Sequence, residues 1–265
     1  MSYVVLAYTD LALASLLILI SGGLSLGFRL GIERQLVLSA VRMCIQLGAI
    51  GFVLKFIFQQ SSPFWTLGLA LIMILLAGRE VFARQTNVLT GFWTYGLGTS
   101  TMMFAATSVM LVALAGLIRP DPLYAPRYVL PLLGMLLGNT MNGISLGLDT
   151  LTRTAKRERL AIEARIALGQ SRADALREPV RDALRTGSMP IVNAMAASGI
   201  VSLPGMMTGQ ILAGVEPVEA VKYQILIMFL IAGATGLGVL MAVLGTAWRL
   251  TDERHRLRLD RLRAV

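Results

Sequence analysis

The sequence has few of the residues on which enzymes and disulfide-bonded domains depend. It contains one cysteine and one histidine among 265 residues. The single cysteine, Cys44, excludes an internal disulfide, and its place in an apolar run predicts a small buried hydrophobe. The sequence contains neither a Ser-His-Asp set nor a zinc-type His/Glu motif, so no residues support an enzyme. The phosphate loop G-x-x-x-x-G-K-[ST] is also missing, so ATP hydrolysis is not expected of this chain.

Charged residues are scarce as well, at 15% of the chain against 55% hydrophobic residues, and the mean hydropathy is +0.70. Apolar runs long enough to cross a bilayer, roughly 20 residues each, recur along the sequence. These features predict an all-α integral membrane protein with about seven transmembrane helices. The predicted spans are residues 6–28, 36–58, 64–82, 97–118, 128–149, 189–213 and 223–248.

The formal net charge of +9 comes from basic residues in alternate loops and at the C-terminal end. Twenty of the 24 Lys and Arg residues fall on one side of the predicted spans, and four fall on the other. The positive-inside rule then places the N-terminus outside and the C-terminus inside. Because orientation accounts for the charge, no nucleic-acid partner is expected.

The chain shows no internal repeat and mostly short connections, so residues 1–265 are predicted to form one transmembrane domain. The first run lacks a basic segment before it and a small-residue cleavage site, which favours a retained helix over a signal peptide. The charged tail, 251–265, is helix-prone. It is interpreted as a solvated cytoplasmic end, with a partner contact as the alternative.

A basic insert at residues 151–185 separates two predicted spans. Its first part, to Leu168, lacks Pro and Gly, which predicts a helix continuing from span five. Gly169 provides a stop, and the Ser171 and Asp174 pair predicts the cap of a second helix. Pro179 is expected to bend that second helix. The insert suits docking into a groove on another protein, or a basic hairpin lying on anionic lipid headgroups; the pattern alone leaves both open.

Polar residues within the predicted spans are candidates for a substrate pathway. Arg42 and Gln46 lie four residues apart, so they share a helix face, as an interfacial anchor or as a polar lining. Asn139 and Asn142 stand among glycines in span five, where an amide either bonds a neighbouring helix or lines a path for a hydrated cation.

Span six contains a break. Pro204 and Gly205 interrupt the helical pattern and predict a gate or binding site, or a simple kink. Met206 and Met207 follow them and are either apolar filler or soft-metal ligands. The spans contain no cluster of His, Asp and Glu, so the residues that would bind a metal are unknown.

Several motifs resemble one known family along nearly the whole chain. The segments QLVLSAVRMCIQL, LLGNTMNGISL, EARIALGQSRADALREPVRDALR and GIVSLPGMMTGQILAGVEPVEAVKYQI are similar to the FetB-type iron-export permeases. The Glu163, Ala164 and Gly169 pattern, with Ser171, also looks like the coupling loop of ABC-importer permeases. That importer pattern continues toward an Ile-x-Leu-Pro element, whereas this chain has Pro179, Val180 and Arg181.

The resemblance implies a permease subunit of an ATP-driven ABC exporter that moves iron out of the cytoplasm. It implies coupling through Glu163, Ala164, Gly169 and Ser171 to a cytoplasmic ATPase subunit that binds ATP and magnesium. This chain would bind no cofactor, pair with a second copy, contact membrane lipid, and reside in the bacterial inner membrane as a multi-pass protein. Alternatives are export of a nucleotide sugar or lipid-like substrate, and a non-transporting membrane anchor of an ATPase complex.

Overall fold

The computed structural model describes residues 7–60 and 62–264, with the side chain of residue 264 left out. The described chain is almost entirely helical. Its α-helices are α1 (Tyr8–Gly27), α2 (Glu33–Gln60), α3 (Pro63–Ala83), α4 (Trp93–Leu111), α5 (Pro126–Arg157), α6 (Arg159–Ala167), α7 (Arg172–Ala175), α8 (Arg177–Ala197), α9 (Gly205–Leu212) and α10 (Pro217–Arg249). A π-helical segment, Val112–Ile118, continues α4, and a 3₁₀ turn, Leu259–Arg261, precedes the last strand.

Six helices in the described ranges are long and apolar enough to cross a membrane: α1, α2, α3, α4 with its π-helical continuation, α5 and α10. They correspond to six of the seven predicted spans. The remaining span, 189–213, is not one helix. α8 ends at Ala197, Gly199 adopts a positive φ of +87°, and α9 begins only at Gly205. The interruption therefore begins before Pro204, where the sequence had predicted it to centre.

The contacts divide the chain into two units. The first contains α1 and α2, and residues 212–214 are grouped with it. Between its two helices, the Ser25 hydroxyl donates to the Glu33 carboxylate at 2.8 Å and accepts the backbone N–H of Ile32 at 3.3 Å. Most side chains of α1 and α2 are exposed. Cys44 is among them, so its predicted burial within the fold is wrong.

The second unit is built around α5, α8 and α10, which approach one another through glycines. A Cβ atom added to Gly143 would lie 2.8 Å from the Gly187 carbonyl oxygen and 2.9 Å from Val239. Gly147 likewise faces Ala183 and Val243. This register makes α8 antiparallel to both α5 and α10. Small residues let the three backbones come this close.

The segment after α3 is fixed to α5 by a series of polar contacts. Arg84 donates to the Asn142 side chain at 2.6 Å, and Gln85 donates to the Ser145 carbonyl at 3.1 Å. The Thr86 N–H reaches the Asp149 carboxylate at 3.0 Å. Farther along, Lys156 donates to the Asn87 side chain. The α5 partners recur every three, four or seven residues, so they share one face of that helix.

The C-terminal tail does not continue α10 as a solvated helix. α10 ends at Arg249, and the chain folds back to form β2 (Leu262–Ala264), which pairs antiparallel with β1 (Asn87–Leu89). Leu262 joins the buried core of the second unit. The prediction of a solvated helical end is therefore wrong: charged side chains dominate the tail, but its apolar residues supply a strand for the loop after α3.

Candidate coupling face and polar pathway residues

From Glu158 onward, the insert folds as a helical turn outside the six apolar helices. α5 ends at Arg157, and Glu158 (φ −100°, ψ 19°) redirects the chain into α6. Gly169, with φ of +92°, ends that excursion. Ser171 then caps α7, its hydroxyl accepting the Asp174 N–H at 3.2 Å. The predicted helix, glycine stop and serine cap are confirmed, with one added redirection at Glu158.

The turn has a small core of its own. Ile162 is 1% exposed and packs with Ala175 and Leu176. Arg165 donates to the Glu178 carboxylate at 2.7 Å and to the Ala175 carbonyl at 3.4 Å, which ties α6 to the start of α8. These contacts hold α6 in a defined position relative to the membrane helices on either side of the insert.

The opposite face of α6 is apolar and uncovered. Leu160 and Leu168 are 80% and 87% exposed, and Ala164 and Ala167 between them are exposed too. Residues at these spacings share one side of a helix. We call these four residues the α6 face. Single exposed leucines are ordinary, but a contiguous apolar patch outside the six apolar helices is typical of a surface that contacts another protein or a membrane.

The four predicted coupling residues differ in their settings. Ala164 belongs to the α6 face, and Gly169 lies beside it with no atom within 4 Å of an added Cβ. Glu163 is turned toward Arg159, whose guanidinium donates to it at 2.8 Å. Ser171 acts as a helix cap. Two of the four are thus presented outward, and two shape the turn. Leu160 and Leu168 were not predicted from the sequence, although each lies four residues from Ala164 and therefore on the same face of a helix.

Pro179 does not bend a helix as predicted. The second helix is divided: α7 ends at Ala175, and α8 begins at Arg177. Pro179 therefore occupies the first turn of α8, where backbone N–H groups have no partner within the helix and a proline is tolerated. The helix that it was expected to bend runs on to Ala197 and contains a different proline, Pro190.

The C-terminal tail also reaches the insert. His255 accepts the backbone N–H of Arg172 at its Nδ1 atom at 3.1 Å, and the Arg172 side chain donates to the Asp252 carbonyl at 3.3 Å. Asp252 accepts the Arg256 N–H at 2.9 Å and that residue's guanidinium at 2.9 Å. The backbone N–H and then the guanidinium of Arg256 lower the pKa of Asp252 to about 2. The tail thus joins the insert to the loop after α3.

The predicted pathway residues lie on α2, on α5, and at or just before the start of α9. Arg42 and Gln46 lie on α2, as expected, and both are exposed. Asn142 is occupied by its hydrogen bond from Arg84, and Asn139 donates to the Met135 carbonyl of its own helix at 2.9 Å. The asparagines are therefore bonded within the fold. This fits the interpretation of Asn142 as a link between elements, with a partner, Arg84, that the sequence did not indicate.

The residues after the break form a short helix. Gly205 begins α9, and the Thr208 N–H and hydroxyl donate to the Pro204 carbonyl at 3.0 Å and 3.2 Å. Met206 packs against the core of the second unit, and Met207 is half-buried. Packing against the core favours apolar filler for Met206. Among the described residues, no group of three or more His, Cys, Asp or Glu side chains could hold a metal ion.

Some polar groups in the helical core were not singled out from the sequence. In the described part of the chain, side-chain oxygens of Thr140, Ser145, Gln224 and Thr235 are buried without a hydrogen-bond partner. They lie on α5 and α10. An unpaired buried polar group costs about 1–3 kcal/mol. Thr residues in apolar helices carry no distinctive sequence signal.

Comparison with known proteins decides the family. Residues 8–250 match the family described as "Uncharacterised protein family (UPF0014)". The chain belongs to the UPF0014 family. It is 33% identical over 225 residues to the UPF0014 membrane protein YjkA of Bacillus subtilis, covering 84% of this chain and 86% of that protein. No solved structure matches this UPF0014 chain.

Two further relatives have names that bear on function. The probable iron export permease protein FetB of Escherichia coli is 30% identical over 254 residues, which is 96% of each chain. Protein ALUMINUM SENSITIVE 3 of Arabidopsis thaliana is 34% identical over 223 residues, covering 84% of this chain and 80% of that protein. The predicted resemblance to FetB-type permeases is confirmed. The predicted localisation, as a multi-pass protein of the bacterial inner membrane, is confirmed as well. The family is of the membrane permease type rather than an enzyme family.

Proposed function

We propose that this chain is the membrane permease subunit of an ATP-driven ABC exporter, and that the α6 face docks into its cytoplasmic ATPase subunit. The uncovered α6 face is the observation that carries the proposal. An apolar helix face held out at a sharp turn has the form that a groove on another protein accepts. ATP and magnesium are bound by the partner in this proposal, since the chain has no phosphate loop.

The connections of the insert provide a route for coupling. α6 is joined to α5 through Glu158 and to α8 through the Arg165 and Glu178 ion pair. α8 in turn packs against α5 and α10 through glycine contacts. Closely packed interiors transmit displacement, because they cannot be compressed. Movement of the α6 face is thereby passed to α8 and to the break between Ala197 and Gly205.

A second permease copy belongs to the same proposal. α2 exposes the Gln46 side chain along a helix that is otherwise largely apolar. Polar groups in transmembrane helices generally face a cavity or another helix, where a hydrogen bond replaces those lost with water. A second copy of the chain, by covering α2, meets this requirement. The proposed assembly contains two permease chains and two ATPase subunits.

The proposed cargo is iron, which the protein exports from the cytoplasm. Similarity to a relative named as a probable iron export permease supports this proposal. The described residues hold no cluster of hard metal ligands, so the proposal is a weakly bound or chelated iron species rather than a tightly held ion. That same observation favours a second candidate, an organic cargo such as a nucleotide sugar or a lipid-like molecule. A transport panel with these substrates separates the two.

The test measures cytoplasmic iron in iron-loaded cells that lack their own exporter and that express the partner ATPase. Native protein, Leu168→Met and Leu168→Glu are compared at matched membrane levels. We expect native protein and Leu168→Met to lower iron, and Leu168→Glu to leave it at the level of cells without the permease. Leu168 is exposed, so neither variant should unfold the chain.

Two results would count against the proposal in different ways. Equal iron in all cells, including those with native protein, would remove iron as the cargo and leave the organic substrates. Export by Leu168→Glu at the native rate would instead retain the cargo and remove the α6 face as the docking element.

A further inference from the structure

The first turns of α8 and the last turns of α10 enclose a half-open cavity of about 550 Å³. Its floor is apolar over most of its length, and no carboxylate lines it. We call it the α8–α10 groove. The apolar residues of the floor are Ala173, Leu176, Val180, Leu184, Leu244, Ala247 and Trp248.

Three arginines, Arg172, Arg177 and Arg181, stand along the same groove. Arg177 and Arg181 are exposed, and among the described residues neither is paired with a carboxylate. Arg172 uses one guanidinium nitrogen on the Asp252 carbonyl at 3.3 Å. The groove therefore combines uncompensated positive charge at one end with an apolar floor.

The groove lies at the level where a membrane helix ends. Trp248 and Arg249 are the last residues of α10, and tryptophan is enriched at the boundary between lipid headgroups and acyl chains. Because α8 is antiparallel to α10, Leu184 and Leu244 lie deeper than Arg177 and Trp248. The charged end thus stands at headgroup level, and the apolar floor descends toward the hydrocarbon.

We propose that the α8–α10 groove is a binding site for an anionic phospholipid. Its phosphate is held by Arg177 and Arg181, and an acyl chain lies along the floor between α8 and α10. Basic pockets between transmembrane helices recognise anionic headgroups in this way. A zwitterionic lipid would place its own cation beside the arginines, so the site discriminates by charge. The inference requires only a membrane protein and does not depend on the cargo.

Trp248 lines the groove, so its fluorescence can report a lipid that binds there. The chain has two other tryptophans, which must be replaced first. In a Trp65→Phe/Trp93→Phe background, the fluorescence of Trp248 is measured in detergent while brominated phosphatidylglycerol or brominated phosphatidylcholine is added. Bromine quenches tryptophan on close approach. We expect phosphatidylglycerol to quench at a concentration at least tenfold lower than phosphatidylcholine. Inorganic phosphate at millimolar concentration should leave that difference unchanged.

The matched variants are Arg177→Gln/Arg181→Gln and Arg153→Gln/Arg157→Gln. Both remove two positive charges from the same insert, but Arg153 and Arg157 are exposed outside the groove and pair with Asp149 and Glu158. Each arginine near an anionic headgroup contributes on the order of fivefold to affinity. We expect the first variant to lose most of the preference for phosphatidylglycerol, and the second to keep it.

Several outcomes would overturn the proposal. Equal quenching by the two lipids in the native groove would remove lipid selectivity. An equal loss in both double variants would assign the preference to overall charge. Competition by inorganic phosphate would identify a free-anion site. The protein is also examined by native mass spectrometry. If it is dimeric and neither brominated lipid quenches Trp248, a second copy covers the groove.

Discussion

The packed centre of α5, α8 and α10 and the turn around α6 differ in how much space surrounds their residues. A Cβ atom at Gly143 would lie 2.8 Å from a backbone oxygen of α8, whereas a Cβ atom at Gly169 would meet nothing within 4 Å. Leu136 and Leu148 of the centre are buried, yet Leu160 and Leu168 of the turn are 80% and 87% exposed. Residues of the centre pack against one another, whereas the α6 face is uncovered in the described chain.

This difference separates two kinds of requirement on the sequence. Residues of the centre are constrained by neighbours within the same chain, so changing them should alter stability first. Residues of the α6 face are exposed in the described chain, so changing them should alter function with little effect on stability. Two comparisons of unfolding and one of tail release test whether the two regions differ in this way.

The largest effect is expected within α6 itself. Ile162→Ala should lower the free energy of unfolding by about 2–5 kcal/mol, because it empties the small core of the turn. Leu168→Ala, on the exposed face, should change it by no more than about 0.5 kcal/mol. Thermal unfolding of both variants in the same detergent measures the contrast. Similar losses would show that Leu168 is packed against something and that the α6 face is not free.

A smaller effect is expected at the glycine contacts. Gly143→Ala should cost about 1–3 kcal/mol through overpacking against α8 and α10. Gly138→Ala, on the same helix but with open space around it, should be neutral or stabilising by up to about 1 kcal/mol, because alanine favours helix. The unfolding temperatures of the two variants measure this difference in stability. If Gly138→Ala were the more damaging, the close approach of α5 and α8 would be wrong.

The smallest effect concerns the tail that joins the two regions. The folded-state pKa of Asp252, about 2, lies below the ordinary value of 3.8, so its contribution is complete above pH 4. That contribution is lost as the pH falls from about 4 toward 2. A dye on Arg263→Cys, in a Cys44→Ser background, reports release of the tail. We expect release in that window for native Asp252 and partial release already at neutral pH for Asp252→Asn.

Much of the helical architecture was predictable, because bilayer thickness sets the length of a membrane-spanning helix and each such helix appears in the sequence as an apolar run of that length. Six predicted spans correspond to helices of the structure, and the Gly169 stop and the Ser171 cap are where local sequence placed them. Span six is the exception. Its break was predicted at Pro204 and Gly205, but the interruption begins after Ala197, where Gly199 has a positive φ that hydropathy does not record.

The rest depended on contacts between distant parts of the chain. Nothing local pairs Arg84 with Asn142 or sends Leu262 back to strand β1, because both contacts are set by how the helices pack. Half of the predicted coupling set, Ala164 and Gly169, is presented outward, while Glu163 and Ser171 have partners within the turn. Orientation of the spans, the pathway residues and the docking residues remain predictions.

The most direct test of the proposed docking is whether the α6 face contacts the ATPase subunit. A photo-reactive residue is placed at position 164, 168 or 201 of the full-length permease, in membranes that contain both subunits. Val201 is a fair control, since it is 83% exposed but lies in the break after α8, within predicted span six rather than in the insert. The account predicts crosslinks to the ATPase from 164 and 168 and none from 201. An intact complex with no crosslink from either α6 position would contradict it.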